Sequence, residues 1–293
     1  MKISSVTKIG KLNRLDIFLL MLSGGFILWL CLKDSGSLSY HWHWHKALNL
    51  LFTPKSDGSV SYFIQGIFAT LRLTFWGALL ALVFGVLLGL GRRSSYFIIR
   101  MLANCYVQLV RNIPPLVFIF IFYFFIANQL VPLLGLEGIL REHSGEINGL
   151  QRWLFGDANL WENLASGVLC IGMISAAYIG EVVRSGLDNI DQGQHEAAKT
   201  LGLSTWHRYR YIIAPQVLKA IVPPLAGQLI SLVKDSSIIS LISIQEMTFV
   251  GTEIANSSGM IFEVWIMVAL CYFILCFSLS QAFAWLERAQ RQI

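Results

Sequence analysis

Few residues in this 293-residue chain have the types and spacing that chemistry needs. Residues 41–45 read His-Trp-His-Trp-His. In an extended strand the three imidazoles would share one face, a plausible metal constellation. The competing reading is an aromatic belt, with Trp42 and Trp44 at the headgroup level of a bilayer. No carboxylate or cysteine stands beside the histidines as a further ligand, which favours the belt. His143, His195 and His207 each lack a serine or cysteine in a nucleophile-like context, and no HExxH pattern occurs. Five scattered cysteines form no CxxC pair. The GxxxxGK[ST] phosphate loop is missing too, so any nucleotide used here must be bound by another subunit. What remains is a set of charges in apolar surroundings, Glu181, Lys234 and Asp235, and a charged connection from 184 to 219.

The elements that must position these groups are membrane helices. Hydrophobic residues make up 55% of the chain and charged residues 13%, about half the share usual in a soluble domain. The apolar residues fall into six runs of about 20, long enough to cross the hydrocarbon core: Leu15 to Leu32, Phe63 to Leu90, Pro114 to Leu134, Leu164 to Val183, Ile221 to Ile244 and Val264 to Leu286. The expected fold is therefore all-α and multi-pass. Lys8, Lys11 and Arg14 precede the first run as in a secretion signal, but no small-x-small cleavage site follows, so an uncleaved anchor is expected. Gly85 and Gly89, then Gly172, Ala176 and Gly180, have the spacing that lets helix backbones approach closely. Ser94 to Arg111 reads as an amphipathic segment along the membrane surface, with Pro114 and Pro115 restarting the chain beyond it.

The net charge of +5 invites a nucleic-acid reading, but no basic face or stripe supports one. The lysines and arginines sit instead at the ends of the apolar runs. With both termini in the cytoplasm, fifteen of the 22 fall on the inner side and six on the outer, the bias the positive-inside rule demands.

The connection from 184 to 219 is organised unlike a loop. Gln194 to Leu203 reads QHEAAKTLGL, a helix expected to end at Gly202, and a second short helix is expected from Thr205 to Ile213, ending before Pro215. Such a pair, with Ala197 and Ala198 side by side and Glu196 to fix orientation, suits docking into a partner's groove. The plainer alternative is a solvated hairpin that only links two spans.

Here the residues resemble a family. Glu196-Ala197-Ala198, Gly202, Ile212 and Pro215 are similar to the EAA motif, EAA-x3-G-x9-I-x-L-P, of ABC importer permeases, with Ala214 in place of the leucine. Tyr106 to Pro114, Ala177 to Arg184 and Leu232 to Ser237 resemble three further segments of the polar amino acid branch of that family, with Gln108 where a glutamate is usual. The resemblance covers roughly residues 65 to 290. It implies a type I ABC importer-like permease with a five-helix core at 62–293, preceded at 1–61 by a tail, an extra helix and an outer loop. It also implies a bacterial inner-membrane location and several partners: ATPase subunits docked on the EAA segment, a second permease subunit, identical or homologous, and an extracytoplasmic solute-binding protein. ATP and magnesium would be bound by the ATPase partner, and this chain would be no enzyme and hold no cofactor.

A transported amino acid is a zwitterion and needs a cation for its carboxylate and acceptors for its ammonium. Lys234 is one candidate cation, with Asp235 or Glu181 near the ammonium and Ser236 and Ser237 bonding carbonyls freed at a helix break. The alternative is that Lys234 and Asp235 form a structural pair. Arg111, at the membrane edge, reads as an anchor or as a ligand. The acidic outer loop around Glu137, Glu142 and Glu146 reads as solvated, or as a seat for the binding protein. An ion-gradient-driven secondary transporter of amino acids is the competing function; it would show an inverted repeat, which the sequence lacks.

Overall fold

A computed structural model describes residues 14–33, 40–54, 60–133, 135, 149–157 and 160–291. Among these residues all regular structure is helical. Residues 1–43 form one unit, whose helix α1, Arg14–Lys33, has 20 residues and so a length of about 30 Å. The second unit, 44–293, holds the rest: α2 (Trp44–Phe52), α3 (Tyr62–Gly91), α4 (Phe97–Asn112), α5 (Pro115–Leu133), α6 (Gly149–Phe155), α7 (Trp161–Asp188), α8 (Gln192–Thr200), α9 (Thr205–Ile242), α10 (Met247–Ser258) and α11 (Ile261–Arg291). The unit begins at Trp44, ahead of the expected division at 61/62. The reason is that α2 buries Ala47 and Leu51 in a core cluster with Phe63, Met247 and Val264.

Helices α3, α5, α7, α9 and α11 are each long and apolar enough to cross a membrane. Their outward faces carry large exposed apolar side chains such as Leu87, Phe125 and Phe273, which water would not tolerate in such number but lipid does. The extended strand that a metal site at 41–45 would need does not form. Residues 41–43 have no regular structure and α2 begins at Trp44, and among the described residues no group of three histidine, cysteine or carboxylate side chains is placed to hold a metal.

The centre of the bundle is the pairing of α3 with α7. Its seam is made of glycines: a Cβ on Gly85 would stand 2.5 Å from Ile179 Cγ2, and one on Gly89 2.6 Å from Val183 Cβ. Only backbone without side chain permits that approach. The segment expected on the membrane surface is α4, which buries Ala103, Val107 and Val110 and leaves Phe97, Ile98 and Leu102 exposed. Ile113 is extended (φ −96°, ψ 136°), as a residue before proline prefers, and Pro115 opens α5.

The expected stop before Pro215 is not there. The helix that starts at Thr205 runs through Pro215 to Ile242, because residues 208–213 widen into a π turn that absorbs the missing proline N–H. At its far end the rod tightens into a 3₁₀ turn at Ser236–Ile242.

Candidate functional site

The EAA segment forms a short helix held at both ends. Asp191 caps α8 by accepting from Gly193 N at 2.8 Å. At the other end Leu203 N donates to Ala198 O (3.1 Å) and Gly202 N to Lys199 O (2.9 Å), the paired bonds of a Schellman cap. That cap needs a left-handed residue, and Gly202 has φ +71°. Glu196, Ala197, Gly202 and Pro215 are exposed, whereas Ala198 is fully buried. The two alanines therefore do different jobs. Ala198 lets α8 seat against its own chain, and Ala197 is the small residue offered outward beside Glu196. Sequence reasoning treated them as one patch and passed over Leu201, Trp206 and Tyr211, which are 76%, 72% and 69% exposed on the same segment. Large apolar residues in an otherwise charged connection were the available signal. His195 lies against Tyr209; burial first, then the charges of Arg208, Arg93 and Lys199, hold its imidazole below the usual range.

Next to this segment the ends of α3, α4 and α7 come together around one carboxylate. Glu181 accepts from Arg92 at 2.5 Å, from Arg111 at 2.7 Å and from Arg184 Nε at 3.0 Å. Arg184 also pairs with Asp188, which Arg93 approaches at 3.1 Å. Arg92 is nearly buried and has a second partner, Asn104 Oδ1 at 2.7 Å. Glu181, one of the two carboxylates expected near the ammonium, is thus engaged by three arginines in a junction that ties three helices.

Arg111 stands apart in this group. Its side chain is 38% exposed, and it lies 6.0 Å over the Tyr178 ring. Arg111, Tyr178 and Glu181 line a cavity of about 500 Å³ whose other wall is α9, at Ala220, Pro224 and Gln228.

Lys234 and Asp235 are not joined by an ion pair among the described residues, and Lys234 is exposed. Ser236 Oγ donates to Val233 O and Ser237 Oγ to Lys234 O, both at 2.7 Å, where α9 changes to its 3₁₀ turn. Lys234 follows Gln228 by six residues, about 9 Å along the helix. The candidate pathway residues therefore fall into two groups, Arg111 with Glu181 at the cavity and 234–237 further along α9.

Glu246 and Glu263 lie in the sequence between the apolar runs that end at Ile244 and begin at Val264. Both are completely buried. Glu246 caps α10, accepting from Phe249 N at 2.9 Å, and also accepts from Tyr272 Oη at 2.7 Å and Thr70 Oγ1 at 3.3 Å. Burial pushes its carboxyl above the usual range against those hydrogen bonds.

The chain matches the family described as "Binding-protein-dependent transport system inner membrane component" over residues 59–292. It belongs to that family. Among its relatives, the probable glutamine ABC transporter permease protein GlnM of Bacillus subtilis (strain 168) is 28% identical over 78% of this chain and 93% of its own length. The probable amino-acid ABC transporter permease protein YckA of the same organism is 31% identical, over 74% of this chain and 84% of its own. A chain from the crystal structure of an amino acid ABC transporter with histidines superposes with a TM-score of 0.62 at 28% identity, covering 78% of this chain and 94% of that chain.

Proposed function

We propose that this inner-membrane component is the permease subunit of an ATP-driven importer of polar amino acids. The observation that carries the proposal is the family match over 59–292, which includes both the EAA helix and the cavity at Arg111. Relatives described as amino-acid permeases supply the substrate class. The competing ion-driven reading has no relative among them.

In this mechanism α8 inserts into a groove of an ATPase subunit, with Glu196, Ala197, Leu201 and Trp206 as the contact face. ATP and magnesium are bound by that partner. The junction at Glu181 transmits the force. A push on α8 reaches α7 through the short link 189–191, and α7 carries α3 and α4 with it through Arg92 and Arg111. Two membrane subunits moved in this way open the path alternately to each side, and a binding protein delivers substrate from outside. Both termini then lie in the cytoplasm, and the arginine cluster lies at the inner membrane face.

The test is affinity purification of the full chain in mild detergent. An ATPase subunit is expected to copurify, and Glu196→Lys or Gly202→Asp should release it while leaving the protein in the membrane. Reproducible purification without any ATPase would contradict the docking role.

A further inference from the structure

Arg72 stands on α3 at the membrane boundary opposite the arginine junction. Arg92 follows it by 20 residues, none of those between them charged, which is about 30 Å along the helix and so the thickness of the hydrocarbon core. The Arg72 guanidinium fastens α6 to α3. Its Nε donates to Trp153 O at 2.7 Å and its Nη2 to Arg152 O at 3.1 Å, while Trp76 Nε1 donates to Leu154 O at 3.1 Å. Three successive carbonyls in the last turn of α6, where helical donors run out, are thus bonded by α3 side chains. Trp76 also stacks on Phe155, with ring centroids 5.1 Å apart.

This clamp leaves a charge over and a hollow on each side of it. Among the described residues, Arg72 Nη1 has no hydrogen-bond partner and Arg72 no carboxylate within ion-pair distance. One hollow, of about 280 Å³, is apolar and lies between Phe68, Leu71 and Phe75 of α3 and Trp153 and Leu154 of α6. The other, of about 450 Å³, has Gln65, Arg152, Asp157 and Gln245 in its wall. Phe68, Arg72 and Trp153 line both, so the two adjoin at the guanidinium. Arg152 pairs with Asp157 at 2.8 Å, and the described lining residues therefore keep one positive charge in excess. A cation at the edge of hydrocarbon calls for an anion. An apolar and a polar compartment meeting at a cation, at the depth of the lipid phosphates, together outline a phospholipid of net negative charge.

We propose that this place is a binding site for one anionic phospholipid, in the leaflet opposite the EAA helix. The phosphate sits on Arg72 Nη1, the head group extends toward Gln65 and Arg152, and one acyl chain lies in the apolar hollow between Phe75 and Trp153. A phospholipid with an ammonium in its head group is neutral overall, leaves the excess charge unbalanced and binds more weakly. Because α6 is already fastened through its carbonyls, the hollows exist before the lipid arrives. Such a site requires only a bilayer and is independent of what the chain transports.

The site is tested by photo-crosslinking the full chain in phosphatidylcholine nanodiscs that hold a trace of phosphatidylglycerol with a diazirine in its acyl chain. Saturable labelling of residues 68–75 and 149–157 is expected. Unlabelled phosphatidylglycerol should displace the label at least about fivefold more effectively than phosphatidylethanolamine, the worth of one interfacial arginine. Glycerol phosphate, a head group without chains, should not displace it. Arg72→Gln should bring the two lipids level. Trp153→Ala, which keeps the backbone carbonyls that Arg72 bonds, should lower labelling of 68–75 about fivefold even if Arg72→Gln does not fold. Labelling that does not saturate, as a groove covered by a protein partner would give, would overturn the proposal. Equal displacement by both lipids, displacement by glycerol phosphate or an unchanged Trp153→Ala variant would do the same.

Discussion

Glu181 holds Arg92, Arg111 and Arg184 together, and removing its charge leaves three guanidinium groups facing one another, of which Arg92 is nearly buried. Glu181→Gln is expected to cost about 2 kcal/mol, because the nearly buried Arg92 loses its counter-charge while solvent partly relieves Arg111 and Arg184. In a thermal melt of the detergent-solubilised protein this should appear as a fall of about 5 °C or more in the midpoint. An unchanged midpoint would mean the junction carries no stability. The residues of this junction were legible in the sequence one by one, since Arg111 and Glu181 each fall in a recognisable segment. Their contact was not, because 70 positions separate them and only the α4–α7 packing closes that distance. The same limit explains Glu246. A glutamate between two apolar stretches reads as a loop charge until the fold supplies Tyr272 and Thr70 as partners.

Among the elements, α8 and α9 carry the clearest tests. His195 on α8 is held below the ordinary imidazole pKa near 6.5 by burial and by Arg208, Arg93 and Lys199. The unfolded chain therefore takes up a proton more readily than the folded helix. Stability that is present above the ordinary imidazole value is progressively lost as pH falls below it toward the folded one. Hydrogen exchange of the peptide covering 192–203, corrected for intrinsic rates, should be faster at pH 6 than at pH 7.5, and His195→Asn should remove the difference. An equal pH response in that variant would contradict this cause. On α9, Ile221 Cγ2 lies 2.1 Å from where a Cβ on Gly186 of α7 would stand. Gly186→Ala should cost about 1–3 kcal/mol by overpacking. Ile221→Ala in the same chain should recover at least about 0.5 kcal/mol of that, as positive coupling in a double-mutant cycle. Strict additivity would place the contact elsewhere. The positions of these helices followed from apolar runs and breakers, yet the end expected before Pro215 did not, since a π turn accommodates proline without ending the rod.

For the whole molecule, the order of the core spans, the glycine seam and the short EAA helix were readable, because bilayer thickness, helix period and small-residue spacing are local properties of a chain. The burial of Ala198, the separation of Lys234 from the cavity and the engagement of Glu181 were not, since each depends on which helices meet. The unit 44–293 has a short exposed EAA helix, a charged junction and a cavity beside it, and the account stands on their acting together in ATP-driven import. The most direct measurement is uptake of radiolabelled glutamine by proteoliposomes holding the purified complex, compared with proteoliposomes holding this chain alone. Uptake is predicted to require internal ATP, the copurified ATPase and the binding protein, and to fall at least about tenfold with Glu196→Lys. Uptake by this chain alone, driven by an ion gradient and indifferent to ATP, would contradict the account.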